Sequence, residues 1–378
     1  MRTRLHGLLF TPLFAFSAEC AEIDITYNLA PPEAQSAIGH AAAIWEGILV
    51  SPVPIKVLVN WFPLGGSTLG ITFPNGRRDF ASAPFAQTWY ATALANSIQG
   101  TELNPGENDI DIYINSGTDW YFGTDGQVPA GFYDLVSVAL HEFGHGLGFV
   151  GLAKKEGGTG SLGLLQQSDF APLITSFPWP QLDTLPGIFD RFLAHPQNGP
   201  LHLMDNPGTV LGSAMTSNQL RFNGAFAMEV NNGDGPRIYS PSAFALGSSC
   251  VHLNESTYPE GNANELMTPF SSAGNANHWP GPLCLAMLRD IGWTLAPDVG
   301  VLEHPEDLGF VVFPSPATDQ LSVRAVFHAP VAASVIDASG RTIRNFMFTN
   351  TVDVGGLAPG NYVLRVQGTA QVARFTKD

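Results

Sequence analysis

The residues best suited to chemistry lie between Tyr133 and Gly148, in the string YDLVSVALHEFGHGLG. Val136, Leu140, Phe143 and Leu147 recur at helical spacing and predict a buried stripe, while His141 and His145, one turn apart, project together from another face. Two imidazoles stacked in this way can grip one metal ion, the expected ion being zinc. Glu142 lies between them without being a ligand, close to the open side of the metal, where it can take a proton from water. The chemistry expected is metal-assisted hydrolysis. Two ordinary helix histidines are the plainer alternative; against it stand the coherent apolar stripe and the glycines Gly144, Gly146 and Gly148 that interrupt the helix formers.

Gly148 suits a left-handed residue that ends the helix and turns the chain back below the metal. With it, HEFGHGLG resembles the start of the metzincin pattern HExxHxxGxxH, which is followed later by a methionine turn. The position of the usual third histidine is Gly151, so the short motif does not close the site. Leishmanolysin-like metzincins share this departure, with an insertion before a distant third histidine. Downstream, Cys250 to Glu255 reads CVHLNE and Asn264 to Pro269 reads NELMTP, and ELMTP resembles the methionine turn of that family. The resemblance implies His252 as the third ligand, Met267 as an apolar floor under the metal, and Gly281 to Trp293 as the closing helix. His195, His202, His278 and His304 are the competing histidines.

The resemblance also implies a zinc metalloendopeptidase that cleaves protein or peptide substrates with Glu142 as general base. A gluzincin-type site with an acidic third ligand such as Glu156 or Glu229 is one alternative, and the ELMTP string speaks against it. A surface-displayed binding or adhesion protein with a structural or vestigial zinc site is the other. A structural zinc wants four protein ligands and no poised glutamate, whereas this pattern offers three ligands and Glu142.

The fold class expected is α+β: a metzincin-like catalytic domain with a twisted sheet, an active-site helix and a long irregular insertion, followed by a small all-β sandwich. Ile23 to Tyr27 reads as a strand, Pro31 to about Leu49 as a helix, and Val53 to Trp61 and Asp109 to Asn115 as strands. From about 151 to 249 the chain is rich in Gly, Pro, Asn and Phe, an insertion that could shape the substrate cleft. Within it Ser161 to Gln167 and Phe189 to Ala194 read as short helices and Gly224 to Val230 as a strand. Asn231 to Gly235, NNGDG, is a weak calcium candidate and more readily an ordinary turn.

Arg2, Arg4 and His6 precede the apolar run Leu8 to Phe16, and small residues follow, so residues 1–21 read as a secretory signal peptide. The catalytic domain is expected over 22–297 and the sandwich over 298–378. Beyond the signal, Cys250 and Cys284 are the remaining cysteines; they could form one disulfide in an oxidising compartment or stay as two buried thiols. The net charge of −16 argues against nucleic acid as a partner, and no other stretch is apolar enough to span a membrane. Phe313 to Thr318, Asp337 to Arg341 and Gly356 to Tyr362 resemble the C-terminal sorting domain of type IX secretion substrates. That implies the type IX machinery as a partner and a secreted or cell-surface location.

Overall fold

Parallel strands need a crossover to pair, and the first helix supplies it. Ile23–Asn28 leads into helix α1, Pro32–Glu46, which opens on proline and buries Ala34, Ala37, Ile38, Ala41, Ile44 and Trp45 along one side. The chain returns as Ile55–Phe62, parallel to the first strand and to Ile110–Asn115. Gly70–Pro74 pairs antiparallel with Ile110–Asn115 and forms the other edge of the four-stranded sheet. Helix α2, Thr92–Gln99, intervenes, and α3, Leu135–Gly146, packs on α1, on the antiparallel edge strand and on Ile110–Asn115. The computed structural model describes residues 20–172, 183–296, 311–324, 331–337, 341–348, 351–366 and 372–378. Most of the expected signal peptide, the linker and His304 lie outside them. Ala21 is buried, and its N–H donates to the Leu49 carbonyl at 2.9 Å, so the folded region already includes the residue before Glu22.

Described parts of the insertion share the main core. Phe149, Phe189 and Phe222 pack in series as tilted pairs with ring centres 4.8 and 5.0 Å apart, and all three are fully buried. Two expectations fail here. Ser161 to Gln167 is not a helix: Thr159–Leu162 pairs with Ala153–Glu156 as a hairpin, and only Gln167–Asp169 makes a 3₁₀ turn. Gly224 to Val230 is not a strand but contains the helix Ala225–Val230. The Asp290 carboxylate accepts from the N–H groups of Phe226 and Ala227 at 2.9 and 2.8 Å, satisfying the free donors of a helix start that the local sequence does not cap. Phe189 to Ala194 divides into the helix Ile188–Phe192 and the strand Leu193–His195. Asn231 to Gly235 forms the turn after Ala225–Val230, with Asn231 Nδ2 donating to the Asp234 carbonyl at 2.9 Å.

The closing helix Pro282–Ile291 ends at Gly292, and its Cys284 is a free thiol, as is Cys250. Of the two alternatives the structure takes the buried thiols: Cys250 Sγ turns toward the Met215 carbonyl, and burial pushes both thiols far up, so both act as small apolar side chains. The C-terminal region folds into two antiparallel sheets. One orders Val311–Phe313, Gln320–Arg324 and Thr351–Asp353; the other orders Thr342–Phe348, Val331–Asp337, Gly360–Val366 and Val372–Lys377. Leu321, Val335, Phe348, Val352, Leu364 and Phe375 meet between them, a core separate from that of the first region.

Candidate metal centre

Asp134 starts α3. Its carboxylate accepts from the Ser137 N–H at 2.8 Å and from the Ser137 hydroxyl at 2.6 Å, capping the helix. The helix is then wedged between partners that leave no room for side chains on one line: a Cβ on Gly144 would lie 2.8 Å from the Met267 sulfur. Trp45 Nε1–H donates to the Leu140 carbonyl at 3.0 Å and fixes α3 against α1. At Gly148, φ is +111°, and the chain turns away there as the motif predicts.

On this frame His141 and His145 face His252, which arrives 107 residues after His145. Each Nδ1–H donates to a backbone carbonyl: His141 to Leu266 at 2.6 Å, His145 to Phe149 at 2.7 Å, His252 to Ser248 at 2.9 Å. With Nδ1 protonated, each Nε2 carries a lone pair. The three Nε2 atoms stand 3.0, 3.1 and 3.3 Å apart. Lone pairs facing at that range repel unless a cation lies among them, and the ligands of a tetrahedral ion at ~2.1 Å stand about 3.4 Å apart. The donor set therefore fits a metal ion held by three imidazoles with a fourth position open. Among the described residues no other group of three His, Cys, Asp or Glu side chains converges in this way. Burial lowers the pKa of all three, that of His252 to about 3, so they are neutral and ready to bind at neutral pH.

The segment bearing His252 is held by the turn around Met267. Leu253 N–H donates to the Met267 carbonyl at 2.8 Å, next to the Leu266 carbonyl that orients His141. Cys250, with φ +70°, bends the chain so that its N–H and the His252 carbonyl both pair with Tyr239, each at 2.8 Å. Met267 is fully buried against Gly144. The other histidines lie elsewhere: His195 is on a short strand, His202 is in a 3₁₀ turn, and His278 Nε2 is 2.7 Å from the Asp134 carboxylate at the start of α3. Glu156 pairs with Lys154, and Glu229 lies in the helix after Gly224; neither belongs to the cluster.

Glu142 points into a cleft of about 550 Å³ that His141, His145 and His252 also line. Burial raises its carboxyl to about 7, and the Thr72 hydroxyl, which donates to Oε2 at 2.7 Å, pulls the other way. The edge strand Gly70–Pro74 lines the cleft, as do Ser248, Ser249 and Pro269 to Ser272. Thr72, the Asp134 cap and the buried Asp190, which accepts from Leu152 and Gly187 N–H at 2.9 and 2.8 Å, are supports that the sequence reading missed. An aspartate just before the apolar run, Asp134, was the one available sign.

Residues 311–377 match the family described as "Secretion system C-terminal sorting domain". This assigns the tail to the type IX secretion machinery and the chain to export, at the cell surface or beyond it. No curated protein matches the chain. Among the described residues no helix is long and apolar enough to cross a membrane.

Proposed function

We propose that this exported chain is a zinc endopeptidase of the leishmanolysin-like metzincin type, with the catalytic domain ahead of its sorting tail. The observation that carries the reading is the convergence of three Nε2 lone pairs beside a buried glutamate in an open cleft. Three ligands with an open position suit a catalytic ion, whereas a structural zinc would want a fourth protein ligand. The antiparallel edge strand beside α3, and the buried methionine below it, support the metzincin-like reading of the fold.

His141, His145 and His252 would hold the ion, which when bound supplies a Lewis acid that acidifies water and polarises a peptide carbonyl. Glu142 is placed to take the proton of the attacking water and pass it to the leaving nitrogen. A carboxyl held near 7 by burial is matched to both halves of that transfer at neutral pH. Metal analysis of the purified protein, with hydrolysis of an unfolded protein substrate, tests the reading. One zinc per chain and chelator-sensitive hydrolysis are expected; a zinc-loaded but inert protein would favour the surface-displayed binding alternative.

A further inference from the structure

Side chains alternate along a strand, so Gly70 and Thr72 of the edge strand share a face, and that face looks onto α3. Both meet Glu142. The Thr72 hydroxyl donates to Oε2 at 2.7 Å, and a Cβ built on Gly70 would lie 2.5 Å from Oε1 and 2.8 Å from Cδ. Gly70 is not left-handed, so what excludes a side chain there is the carboxylate and not the backbone. One carboxylate oxygen is thus anchored by a hydroxyl. The other rests against bare backbone at the cleft, free to accept a proton.

We propose that Thr72 is a positioning residue, which together with the bare face of Gly70 clamps the Glu142 carboxylate in one orientation for proton transfer. The proposal rests on the peptidase reading above. It assigns the edge strand a task beyond lining the cleft: a carboxylate with two equivalent oxygens becomes one with an anchored oxygen and a working oxygen. A glutamate left free to rotate about its terminal bond would spend part of its time with neither oxygen aimed at the attacking water.

The test uses the full chain loaded with zinc. Thr72→Val keeps the branched shape and the strand preference and removes only the hydroxyl. It should lower kcat roughly 10- to 100-fold, the range of a lost hydrogen bond to a charged group, with KM changed by less than about twofold. Zinc content should not change, and Thr72→Ser should restore most of the rate. Gly70→Ala should lower kcat by a similar factor through displacement of the carboxylate.

A second readout does not need turnover. Acetohydroxamate gives up its hydroxyl proton on binding a metal, and Glu142 is the base positioned to take it. Thr72→Val should weaken its binding about tenfold with Glu142 present and leave it unchanged in a Glu142→Gln background, since the hydroxyl acts only through that carboxylate. Wild-type kcat in Thr72→Val, or equal weakening in both backgrounds, overturns the clamp and leaves the peptidase reading standing. The expected hydroxamate pattern in a protein that hydrolyses nothing supports the clamp and overturns the peptidase reading alone. A wild-type protein that takes up no zinc overturns both.

Discussion

The two halves of the candidate metal centre are built by different means. His141 and His145 are brought together by α3 itself, because a spacing of four residues in a helix places two side chains one above the other. His252 has no such help: it is 107 residues from His145, and its ring is aimed by the Ser248 carbonyl and its backbone by Tyr239 and Met267. Local geometry fixes the first pair wherever α3 forms, whereas the third imidazole depends on tertiary contacts that bring its segment back to α3. Closing so long a loop adds only a logarithmic entropy cost, which a handful of hydrogen bonds and the shared phenylalanine core can offset.

The sharpest way to break this comparison is to remove ligands from either half. His141→Ala and His252→Ala should each weaken zinc binding by more than ~100-fold, since even outer partners of metal ligands are worth 10- to 100-fold. His278→Ala, which removes a partner of the helix cap and not a ligand, should keep one zinc per chain after dialysis. If His278→Ala loses zinc as fully as His252→Ala, the division into helix-borne and loop-borne ligands is wrong. Glu142→Gln should separate binding from turnover: zinc stays, and hydrolysis falls at least ~100-fold.

Smaller effects probe the supports. Alanine normally stabilises a helix relative to glycine, but Gly144→Ala should destabilise the protein by about 1–3 kcal/mol in urea unfolding, because its Cβ would run into Met267. Asp190 probes the insertion. Burial raises its carboxyl from 3.8 to about 6, so the folded state binds this proton more tightly than the unfolded chain. Its contribution is therefore most favourable below about pH 4 and is lost as pH rises through 6. Relative to Asp190→Asn, the wild type should lose about 2 kcal/mol of stability between pH 4 and 7, read as the difference between the two unfolding curves.

The same division explains what could be read from the sequence. The helix, His141, His145 and the turn at Gly148 follow from spacing alone, and the strands Ile23–Asn28, Ile55–Phe62 and Ile110–Asn115 follow from apolar runs. His252 was reachable only through its resemblance to a family, since nothing in CVHLNE itself signals a ligand. Thr72 and Gly70 carry no local mark; the five-residue strand that holds them is recognisable only once its pairing with Ile110–Asn115 is known. Ala225–Val230 was misread because its helix start is capped by Asp290, 64 residues beyond Phe226, and propensity rules do not see such a partner. Composition left the two cysteines open between a disulfide and buried thiols, and the fold decides it by turning Cys250 toward Met215.

The turn around Met267 orients His141 through the Leu266 carbonyl and anchors the His252 segment through the Met267 carbonyl, two consecutive peptide units acting on both halves of the site. The connection that matters to the three imidazoles is thus through space and does not run along the insertion. A peptide bond cut at the exposed hairpin tip Glu156–Gly158 would leave two pieces that still share one core and still hold the same three nitrogens together. A nicked molecule outside the cell, running as two bands on a denaturing gel, should remain a single working particle.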